Sequence, residues 1–433
     1  MESNIIPLFL NTRSHTVHAN KNFVLAQLNM PGSGKEAAVS EKVYVTGVGM
    51  VPFAKPSTSA SYVEMGAAAA RAALADAGIR YEAIEQAYAG YVYGDSTVGQ
   101  AMLYEVGLTG LPIINVNNNC ATGSTALFLA RQAIASGAID CALVIGVEQM
   151  MPGPLRTIYT DRPAPLQRFL DTMAGNRGYD PELPRAPQFF GGAGQDYLDQ
   201  YGIAPETFGR ISVKARRHAA NNPYAVFRTP VTLEEVMASP TVFGLLTRLQ
   251  CCPPTCGAAA AVLCSKRFAN WFNLDTGVAI AAQSMTTDRP DSFDSSDMRK
   301  LVGYGMAAIA AERAYAEAGV GPEDIQVVEL HDCFTANELI SYEALQLTPP
   351  GTAEKFILDG DNTYGGKIVT NPSGGLLSKG HPLGATGLAQ CAELTWQLRG
   401  QAERRQVDGA RWGLQHNLGL GGACVVTVYE KTN

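Results

Sequence analysis

The sequence predicts an α/β fold in which one unit of strands and helices occurs twice. From residue 42 onward, apolar strand-like segments alternate with helical segments, a pattern typical of a sheet covered by helices. Two stretches of the first half are repeated in the second half in the same order. Glycine is abundant, at 44 residues, which suits close packing of helices on strands. We therefore expect a duplicated domain with pseudo-two-fold symmetry.

The elements of the first half follow one another regularly. KVYVTGVGM, residues 42–50, is a strand, and residues 62–79 form a helix that Gly78 is placed to end. Two strand-like segments follow, IEQAYAGYVYG and IINVNNNC. We expect the next helix to begin near Cys120, and the apolar run CALVIGVEQM after it to be a buried strand. After a break, GAAAAVLCS, residues 257–265, resumes the pattern as a further strand.

The internal repeat pairs two motifs of the first half with two of the second. AERAYAEAGVGPEDIQVVELHDCF, from Ala311, resembles ARAALADAGIRYEAIEQAYAGYVY, from Ala70. GATGLAQCAEL, from Gly384, resembles CATGSTALFLA, from Cys120. The offset grows from 241 to 264 residues, so the second copy carries an insertion, for which residues 344–366 are the candidate.

Length and composition suggest several domains in one large protein. A chain of 433 residues corresponds to about three domain-sized units. Residues 151–250 interrupt the alternation and are rich in Pro, Arg and aromatic side chains, and long insertions of this kind are usually functional. We predict an N-terminal extension over 1–41, a first half formed by 42–150 with 251–275, a loop domain over 151–250 that binds substrate, and a second half over 276–433.

Charge and hydropathy exclude some classes of partner. Net charge is −7, so we expect no bulk attraction to nucleic acid or to anionic membranes. No apolar run reaches the ~18 residues that a transmembrane helix needs. Apolar residues make up 46% of the chain and charged residues only 17%, which allows a large core and an apolar subunit interface.

The cysteines indicate free thiols. Nine cysteines are scattered without a regular framework in a chain too large to need disulfides, which favours a reducing compartment. Cys251, Cys252 and Cys256 lie close together, but no histidine or second cysteine pair near them completes a four-ligand set. We therefore expect no metal site.

The two termini bear on the compartment. The first residues carry Arg13 and Lys21 among Ser and Thr, which fits an organelle presequence, whereas Glu2 and Pro7 disfavour one and a simple extension is the alternative. The C-terminal YEKTN is not the Ser-Lys-Leu type of peroxisomal address. We expect an intracellular protein in an organelle matrix of the mitochondrial or peroxisomal type, with the cytosol as the alternative.

Cys120 is a candidate nucleophile. It follows a strand and opens a helix, where the helix N-terminus lowers the pKa of a thiol. An acyl-accepting cysteine needs such a position because the thiolate is the nucleophile. From spacing alone, a small apolar core thiol is an equal alternative.

Two glycine-rich segments of the second half are candidates for its partners. SGGLLSKGHPLGATGL, residues 373–388, contains His381, and the repeat makes it the counterpart of the Cys120 turn. Symmetry then brings His381 toward Cys120, where it could take the thiol proton. HNLGLGG, residues 416–422, is predicted to be a third glycine turn, whose backbone N–H groups could face an oxyanion; an ordinary tight turn is the alternative.

HDCFTANEL, residues 331–339, is a further candidate for the site. It places His, Asp and Cys next to one another at the end of the strand-like run IQVVEL. Together with NNNCATGSTAL, NPSGGLLSKGHPLGATGLAQ and HNLGLGG it resembles the thiolases, and specifically those of the sterol-carrier-protein type, whose hallmark is HDCF. The similarity runs from about residue 42 to the end, with four motifs in the right order. It implies the thiolase fold: two duplicated βαβαβαββ halves in a five-layer αβαβα sandwich with an inserted loop domain.

The resemblance also implies a 3-ketoacyl-CoA thiolase. Cys120 would be acylated, His381 would activate it, and His331 would help hold the thioester oxygen. Ordinary thiolases carry a second cysteine in the last glycine turn, where this chain has Asn417, so Cys333 of HDCF would act as the acid/base instead. Asp332 is expected to point away and brace the loop.

Further expectations follow from the same resemblance. The backbone N–H groups of Cys120 and Gly419 would form a second oxyanion hole, and Asn417, Ser373 and Gly374 would contact the substrate. Coenzyme A would be a substrate, with no permanently bound cofactor. The partners would be acyl-CoA, CoA and a second copy of the chain in a homodimer. The length of chain after the thiolase motifs is too short for a sterol-carrier domain, so none is expected there.

One departure and two rival functions accompany this interpretation. Cys256 stands where thiolases usually have aspartate, from which we expect altered loop anchoring rather than lost activity. The rivals are a decarboxylating ketoacyl synthase, which would have no use for a thiol at Cys333, and a thiolase-like protein that binds acyl-CoA without turning it over.

Overall fold

The computed structural model of the chain describes residues 41–153, 155 and 157–432. The extension predicted over 1–41 therefore lies, except for its last residue, outside the described part of the chain. Within the described part, no helix combines the length and the apolar character needed to cross a bilayer.

The described residues form twelve strands and fourteen α-helices. The strands are β1 (Val43–Met50), β2 (Gln86–Gly90), β3 (Ile113–Val116), β4 (Cys141–Glu148), β5 (Thr241–Phe243), β6 (Leu246–Thr247), β7 (Gly257–Ser265), β8 (Val278–Thr286), β9 (Val327–Glu329), β10 (Val369–Thr370), β11 (Trp412–Gly419) and β12 (Ala423–Lys431). The helices are α1 (Tyr62–Ala77), α2 (Val98–Tyr104), α3 (Thr122–Ala135), α4 (Gln167–Arg177), α5 (Arg185–Tyr201), α6 (Glu206–Ala219), α7 (Leu233–Met237), α8 (Lys266–Phe272), α9 (Met298–Leu301), α10 (Tyr304–Ala318), α11 (Thr335–Ala344), α12 (Ala353–Leu358), α13 (Gly375–Ser378) and α14 (Thr386–Arg399).

Ten of these strands form one hydrogen-bonded sheet in the order β10-β9-β11-β12-β8-β1-β7-β4-β2-β3. Outward from its centre the first half is β1-β7-β4-β2-β3 and the second is β8-β12-β11-β9-β10, so each strand of one half has a counterpart in the other. The halves meet where β1 pairs antiparallel with β8, with Val43 opposite Ile280 and Tyr44 opposite Ala279. The predicted duplication is confirmed.

The helices complete a five-layer arrangement. Helix α1 packs on β1, β4 and β7, and α10 packs on β8 and β12, so each covers the outer face of its own half. Helices α3 and α14 pack against each other and against strands of both halves, and so form the middle layer. The alanine-rich β7 is buried throughout because α1 packs on one of its faces and α14 on the other.

Matching helix ends explain why the repeat is visible in the sequence. Helix α1 starts at a capping box of Ser61 and Glu64 and ends at Gly78, whose φ of 71° is left-handed. Helix α10 ends in the same way at Gly319, with a φ of 70°. Glycine tolerates this conformation without steric cost, so both copies keep the Ala-Gly pair.

The inserted segment covers the second half. Helices α5 and α6 pack on α11, and α6 also packs on α13. Lys214 of α6 is buried, forms an ion pair with Glu338 of α11, and lies 3.1 Å from the hydroxyl oxygen of Tyr342. This segment therefore braces the helix that follows HDCF. The exact domain boundaries stay a prediction.

One local expectation needs correction, and the start of the helix expected near Cys120 can be given. The third glycine turn is shorter than predicted, because His416–Gly419 belongs to β11, paired in register with β12, and only residues 420–422 turn. Helix α3 begins at Thr122, with Ala121 at its N-cap, so Cys120 lies in the turn just before the helix.

Candidate active site

The four side chains predicted to be catalytic line one cavity of about 460 Å³: Cys120, His331, Cys333 and His381. The cysteine sulfur and one ring nitrogen from each of His331 and His381 all lie within 4.8 Å of one another. The two imidazole rings meet edge to face, with centroids 5.0 Å apart. The cavity therefore gathers residues from the loops after β3, after β9 and before α14.

The duplication itself brings Cys120 and His381 together. Both middle helices begin with Ala-Thr-Gly, and they approach each other at these glycines. A Cβ on Gly123 would lie 2.8 Å from the carbonyl oxygen of Gly384, and one on Gly387 would lie 2.3 Å from the backbone nitrogen of Ser124. Only glycine permits this approach, which places the two turns side by side.

The turn that carries Cys120 is held by its neighbour Asn119. Asn119 has a left-handed φ of 51°, and its side-chain amide donates to the carbonyl oxygen of Leu420 at 2.7 Å. The Cys120 thiol donates weakly to Asn119 Oδ1, at 3.6 Å. Burial in the cavity, with the nearby Glu148, raises the pKa of the Cys120 thiol to about 12. The lowering expected from the helix N-terminus is therefore wrong, and loss of solvation is the largest cause of the raised pKa.

Hydrogen bonds assign the tautomer of His381. Thr386 donates its hydroxyl proton to the carbonyl oxygen of Pro382 at 3.0 Å, so its oxygen is free to accept from His381 Nδ1–H at 2.7 Å. Nε2 then carries the lone pair, and this buried atom has no hydrogen-bond partner within the described residues. Burial lowers the pKa of His381 to about 3, so the ring is neutral. His381 therefore presents a vacant proton acceptor near the Cys120 sulfur.

His331 has the opposite tautomer. The side-chain amide of Asn417 donates to the carbonyl oxygen of Cys120 at 3.0 Å and to His331 Nδ1 at 3.2 Å. Because Nδ1 accepts, the proton of the neutral ring lies on Nε2. Burial, together with His381 and His416, keeps the pKa of His331 well below its ordinary value. His331 can therefore donate a hydrogen bond from Nε2.

A buried chain of side chains fixes the orientation of Asn417. Tyr429 donates to Gln415 Oε1 at 2.5 Å, Gln415 donates to Ser124 Oγ at 2.7 Å, and Ser124 donates to Asn417 Oδ1 at 2.8 Å. Asn417 is fully buried and is absent from the cavity wall. The structure thus gives Asn417 a positioning role toward His331, whereas the sequence predicted direct contact with substrate.

Asp332 points away from the cavity, as expected. Its carboxylate accepts from the backbone N–H groups of Leu376, at 2.7 Å, and Leu377, at 3.3 Å, at the start of α13. A Cβ on Gly375, whose φ is 60°, would lie 2.1 Å from Asp332 Oδ2. This anchor leaves Cys333 facing the cavity, where burial raises the pKa of its thiol well above the ordinary value. Cys333 is therefore protonated at neutral pH.

Three further predicted residues lie behind the wall. Ser373 is buried and donates its hydroxyl proton to Glu329 at 2.7 Å, and Gly374 packs against Ala219. Gly419 lies against the Cys120 turn, since a Cβ there would lie 2.3 Å from the carbonyl oxygen of Asn118. The structure does not place the side chain of Ser373, or either glycine, on the cavity wall.

Glu148 is a functional candidate that the sequence reasoning missed. One carboxylate oxygen accepts from the N–H groups of Val92, at 3.1 Å, and Gly384, at 3.0 Å, and the other accepts from Tyr93 at 2.9 Å. Burial raises the pKa of Glu148 to about 7 against these three hydrogen bonds. An acidic residue at the end of the otherwise apolar run CALVIGVEQM was the available signal.

The remaining wall is mainly apolar, and one part of it is anchored through Cys256. Met150 lines the cavity, and its backbone N–H donates to Cys256 Sγ at 3.2 Å, while the Cys256 thiol lies 3.5 Å from the Met150 carbonyl oxygen. The thiol thus holds a backbone segment at the position where thiolases usually have aspartate. Within the described residues, Cys120, His331 and His381 also form the one cluster whose donor atoms could hold a metal ion. The absence of a metal stays a prediction.

Comparisons with known proteins identify the family. Residues 43–267 match the family model described as Thiolase, N-terminal domain, and residues 289–431 match Thiolase C-terminal domain-like. The chain is 53% identical over 405 residues to sterol carrier protein 2 of Oryctolagus cuniculus. The aligned residues make up 93% of this chain and 74% of that protein. It is also 36% identical over 390 residues to benzoylsuccinyl-CoA thiolase subunit BbsB of Thauera aromatica. That alignment spans 88% of this chain and 96% of the relative.

Solved structures show the same fold. An Ltp2-ChsH2(DUF35) aldolase superposes with a TM-score of 0.77 at 23% identity, over 91% of this chain and 98% of that chain. Human mitochondrial 3-ketoacyl-CoA thiolase superposes with a TM-score of 0.70 at 19% identity, over 92% of this chain and 100% of that chain. The chain therefore belongs to the thiolase family, and to its sterol-carrier-protein type.

Proposed function

We propose that this protein is a 3-ketoacyl-CoA thiolase, an acyltransferase that cleaves 3-ketoacyl-CoA with CoA, or runs the reverse Claisen condensation, through an acyl-Cys120 intermediate. One observation carries the proposal: a ring nitrogen of His381 and one of His331 lie within 4.8 Å of the Cys120 sulfur, and the hydrogen bonds at Nδ1 leave His381 Nε2 as a proton acceptor and His331 Nε2–H as a donor. A nucleophile, a base and an oxyanion donor are then ready in one cavity.

In the first half-reaction, His381 Nε2 takes the Cys120 proton as the sulfur attacks the 3-keto carbon. The bond between C2 and C3 breaks, and its electron pair leaves as the enolate of acetyl-CoA. His331 Nε2–H stabilises the thioester oxygen of that enolate, and Cys333 gives its proton to the enolate carbon. Because burial keeps Cys120 protonated, proton transfer to His381 accompanies the attack.

In the second half-reaction, the Cys333 thiolate takes the proton of an incoming CoA thiol. The CoA sulfur attacks the acyl-Cys120 carbonyl, and Cys120 leaves and recovers its proton from the His381 imidazolium. The products are acetyl-CoA and the shortened acyl-CoA, and all four side chains return to their starting protonation states. CoA is thus a substrate in this proposal, and no bound cofactor is needed.

Relatives give separate support. A protein 36% identical to this chain is named as a CoA thiolase subunit, and one 53% identical is named as a sterol carrier protein. We place the activity in lipid metabolism, in the oxidation of fatty or sterol-derived acyl chains. The name of the second relative also keeps the alternative open of an acyl-CoA-binding protein with little turnover.

Incubation with acetoacetyl-CoA and CoA tests the proposal. Two molecules of acetyl-CoA should form for each acetoacetyl-CoA consumed, and Cys120→Ala should form none. Binding of acetoacetyl-CoA without acetyl-CoA formation would favour the acyl-CoA-binding alternative. Release of CO2 from malonyl-CoA, with no cleavage of acetoacetyl-CoA, would favour the ketoacyl synthase.

We also propose a homodimer formed through the first half. Strand β3 is the outermost strand of its half, and the large apolar side chains Tyr104 and Leu108 beside it are 56% and 79% exposed. An exposed apolar edge strand offers unpaired backbone groups with which another chain can pair. Light scattering that gives about 46.0 kDa at assay concentration would contradict the dimer. An organelle matrix remains our proposal for location, to be tested by imaging the full chain with a C-terminal tag.

A further inference from the structure

A third thiol, Cys252, faces the candidate active site without a task in the proposed reaction. Cys252 lines the same cavity as Cys120 and Cys333. Its backbone N–H donates to the carbonyl oxygen of Cys333 at 2.9 Å. The preceding residue, Cys251, forms an antiparallel bridge with Phe334. One step along this short ladder, Cys252 and Cys333 stand directly opposite each other.

Opposed residues of an antiparallel pair have the spacing that a disulfide needs. Their Cα atoms lie about 5.5 Å apart when they form a hydrogen-bonded pair, inside the roughly 4.4–6.8 Å that disulfides span. Opposed residues of an antiparallel pair project their side chains to the same face, and Cys252 and Cys333 both line the cavity, as do their neighbours Cys251 and Phe334. Both are free thiols in the structure.

We propose that Cys252 and Cys333 form a reversible cross-strand disulfide when the cavity admits a hydroperoxide. This modification removes Cys333 from the reaction and so inactivates carbon–carbon cleavage. The loss of activity rests on the proposed function, whereas the disulfide itself does not.

The chemistry balances with one hydroperoxide. The sulfur of one of the two cysteines attacks the terminal oxygen, the O–O bond breaks, and the thiol proton goes to the departing alkoxide, leaving a sulfenic acid and an alcohol. The second thiol then attacks the sulfenic sulfur and displaces water. Two thiols are oxidised, the peroxide is reduced, and a dithiol reagent reverses the change.

Backbone pairing distinguishes this couple from the other thiols of the cavity. Cys120 is close enough to influence the pKa of both Cys252 and Cys333, but it lies in the turn before α3, and no backbone hydrogen bond among the described residues joins it to either. Cys251 directs its thiol to the carbonyl oxygen of Thr247, at 3.4 Å. Cys252 and Cys333 are therefore the pair that the ladder holds in register.

Peptide mapping tests the disulfide directly. The full-length protein is treated with one equivalent of tert-butyl hydroperoxide, alkylated under non-reducing conditions and digested with trypsin. A cross-linked product of peptides 249–266 and 314–355 should appear, and fragmentation should place the bond at Cys252 and Cys333. Dithiothreitol should remove it. Cys252→Ser should lack this product, and the matched control Cys251→Ser should keep it.

Activity gives the second readout, with each variant normalised to its own untreated rate. The treated wild type should lose cleavage by about 10²–10⁴, the range for a lost acid/base group, and should recover it with dithiothreitol. Cys252→Ser cannot form the disulfide, so under excess hydroperoxide its Cys333 should pass from sulfenic to sulfinic acid, and dithiothreitol should not restore its activity. Cross-linking of peptide 81–131, which carries Cys120, or the absence of any cross-link after full thiol oxidation, would overturn the proposal. A mapped Cys252–Cys333 disulfide in a protein without thiolase activity would instead contradict the proposed function alone.

Discussion

The two halves of the molecule start their middle helices with the same three residues but use them differently. In the first half, the Thr122 hydroxyl donates to the carbonyl oxygen of Asn119 at 2.6 Å and accepts from the N–H of Asn118 at 2.8 Å. It therefore shapes the backbone that presents Cys120. In the second half, the Thr386 hydroxyl donates to the carbonyl oxygen of Pro382 and accepts from His381.

The comparison shows how a duplicated scaffold gains two chemical roles. The position that is Cys120 in the first half is Gly384 in the second, and that glycine contacts the carboxylate of Glu148 through its backbone N–H. Each half thus supplies what the other lacks: the first supplies the nucleophile, and the second supplies the base, the oxyanion donor and the acid. Neither half alone holds a complete site.

Removal of the nucleophile should give the largest effect. We expect Cys120→Ala to reduce cleavage to the assay background while CoA thioesters still bind, because Cys120 is the thiol that clusters with His331 and His381 among the described residues. Mass spectrometry after incubation with acetyl-CoA should find one acetyl group on the Cys120 peptide of the wild type and none on the variant. An active alanine variant, or an acetyl group on another residue, would break the assignment of the nucleophile to the first half.

The second half should supply the acid/base through Cys333. We expect Cys333→Ala to lower the rate of carbon–carbon cleavage by about 10²–10⁴. Acetylation of Cys120 by acetyl-CoA should be retained better, since His381 serves that step. The matched control is Cys424→Ala, which removes a buried thiol outside the cavity wall and should stay close to wild type in both assays. The reverse pattern would show that the missing second cysteine is replaced by Cys424 instead.

The sequence could predict the fold and the meeting of Cys120 with His381, because the repeated Ala-Thr-Gly fixes how the two middle helices cross. It could not predict what depends on side-chain direction. Asn417 was expected to contact substrate, but a buried hydrogen-bond chain turns its amide toward His331. The pKa of Cys120 was expected to fall, but burial competes with the helix terminus, and a sequence does not show burial in a cavity.

The two threonines allow a direct test of the comparison. Thr386→Val removes the acceptor for His381 Nδ1–H, and a buried donor left unpaired costs about 1–3 kcal/mol. We expect kcat to fall about tenfold to a hundredfold, with little change in KM and with recovery in Thr386→Ser. Thr122→Val should lower Tm as well as kcat, since the Thr122 hydroxyl bonds to two backbone groups, the N–H of Asn118 and the carbonyl oxygen of Asn119. Equal losses of Tm in both variants would mean that Thr386 acts only as a structural residue.

The smallest expected effect concerns Glu148, whose carboxylate joins the two halves at Val92, Tyr93 and Gly384. Its folded pKa of about 7 lies above the value of about 4.3 for an unperturbed glutamate. The folded state therefore holds this proton more tightly than the unfolded state does. The stability that results is complete below pH 4.3 or so, and it is lost as the pH rises through 7.

A glutamine side chain cannot titrate, so the pH dependence of Tm in Glu148→Gln, compared with the wild type, should reveal the contribution of Glu148. We expect the Tm of the wild type to fall between pH 4.5 and pH 8 more than the Tm of Glu148→Gln does. Any advantage in Tm that the wild type has at pH 4.5 should therefore shrink or reverse by pH 8. Glu85→Gln is a suitable control, because Glu85 also accepts a backbone N–H, from Asp140 at 3.1 Å, but lies on an exposed part of the same half. If the curves of wild type and Glu148→Gln run parallel across this range, Glu148 does not change its protonation between the folded and unfolded states. The carboxylate would then join the halves as a permanently charged acceptor.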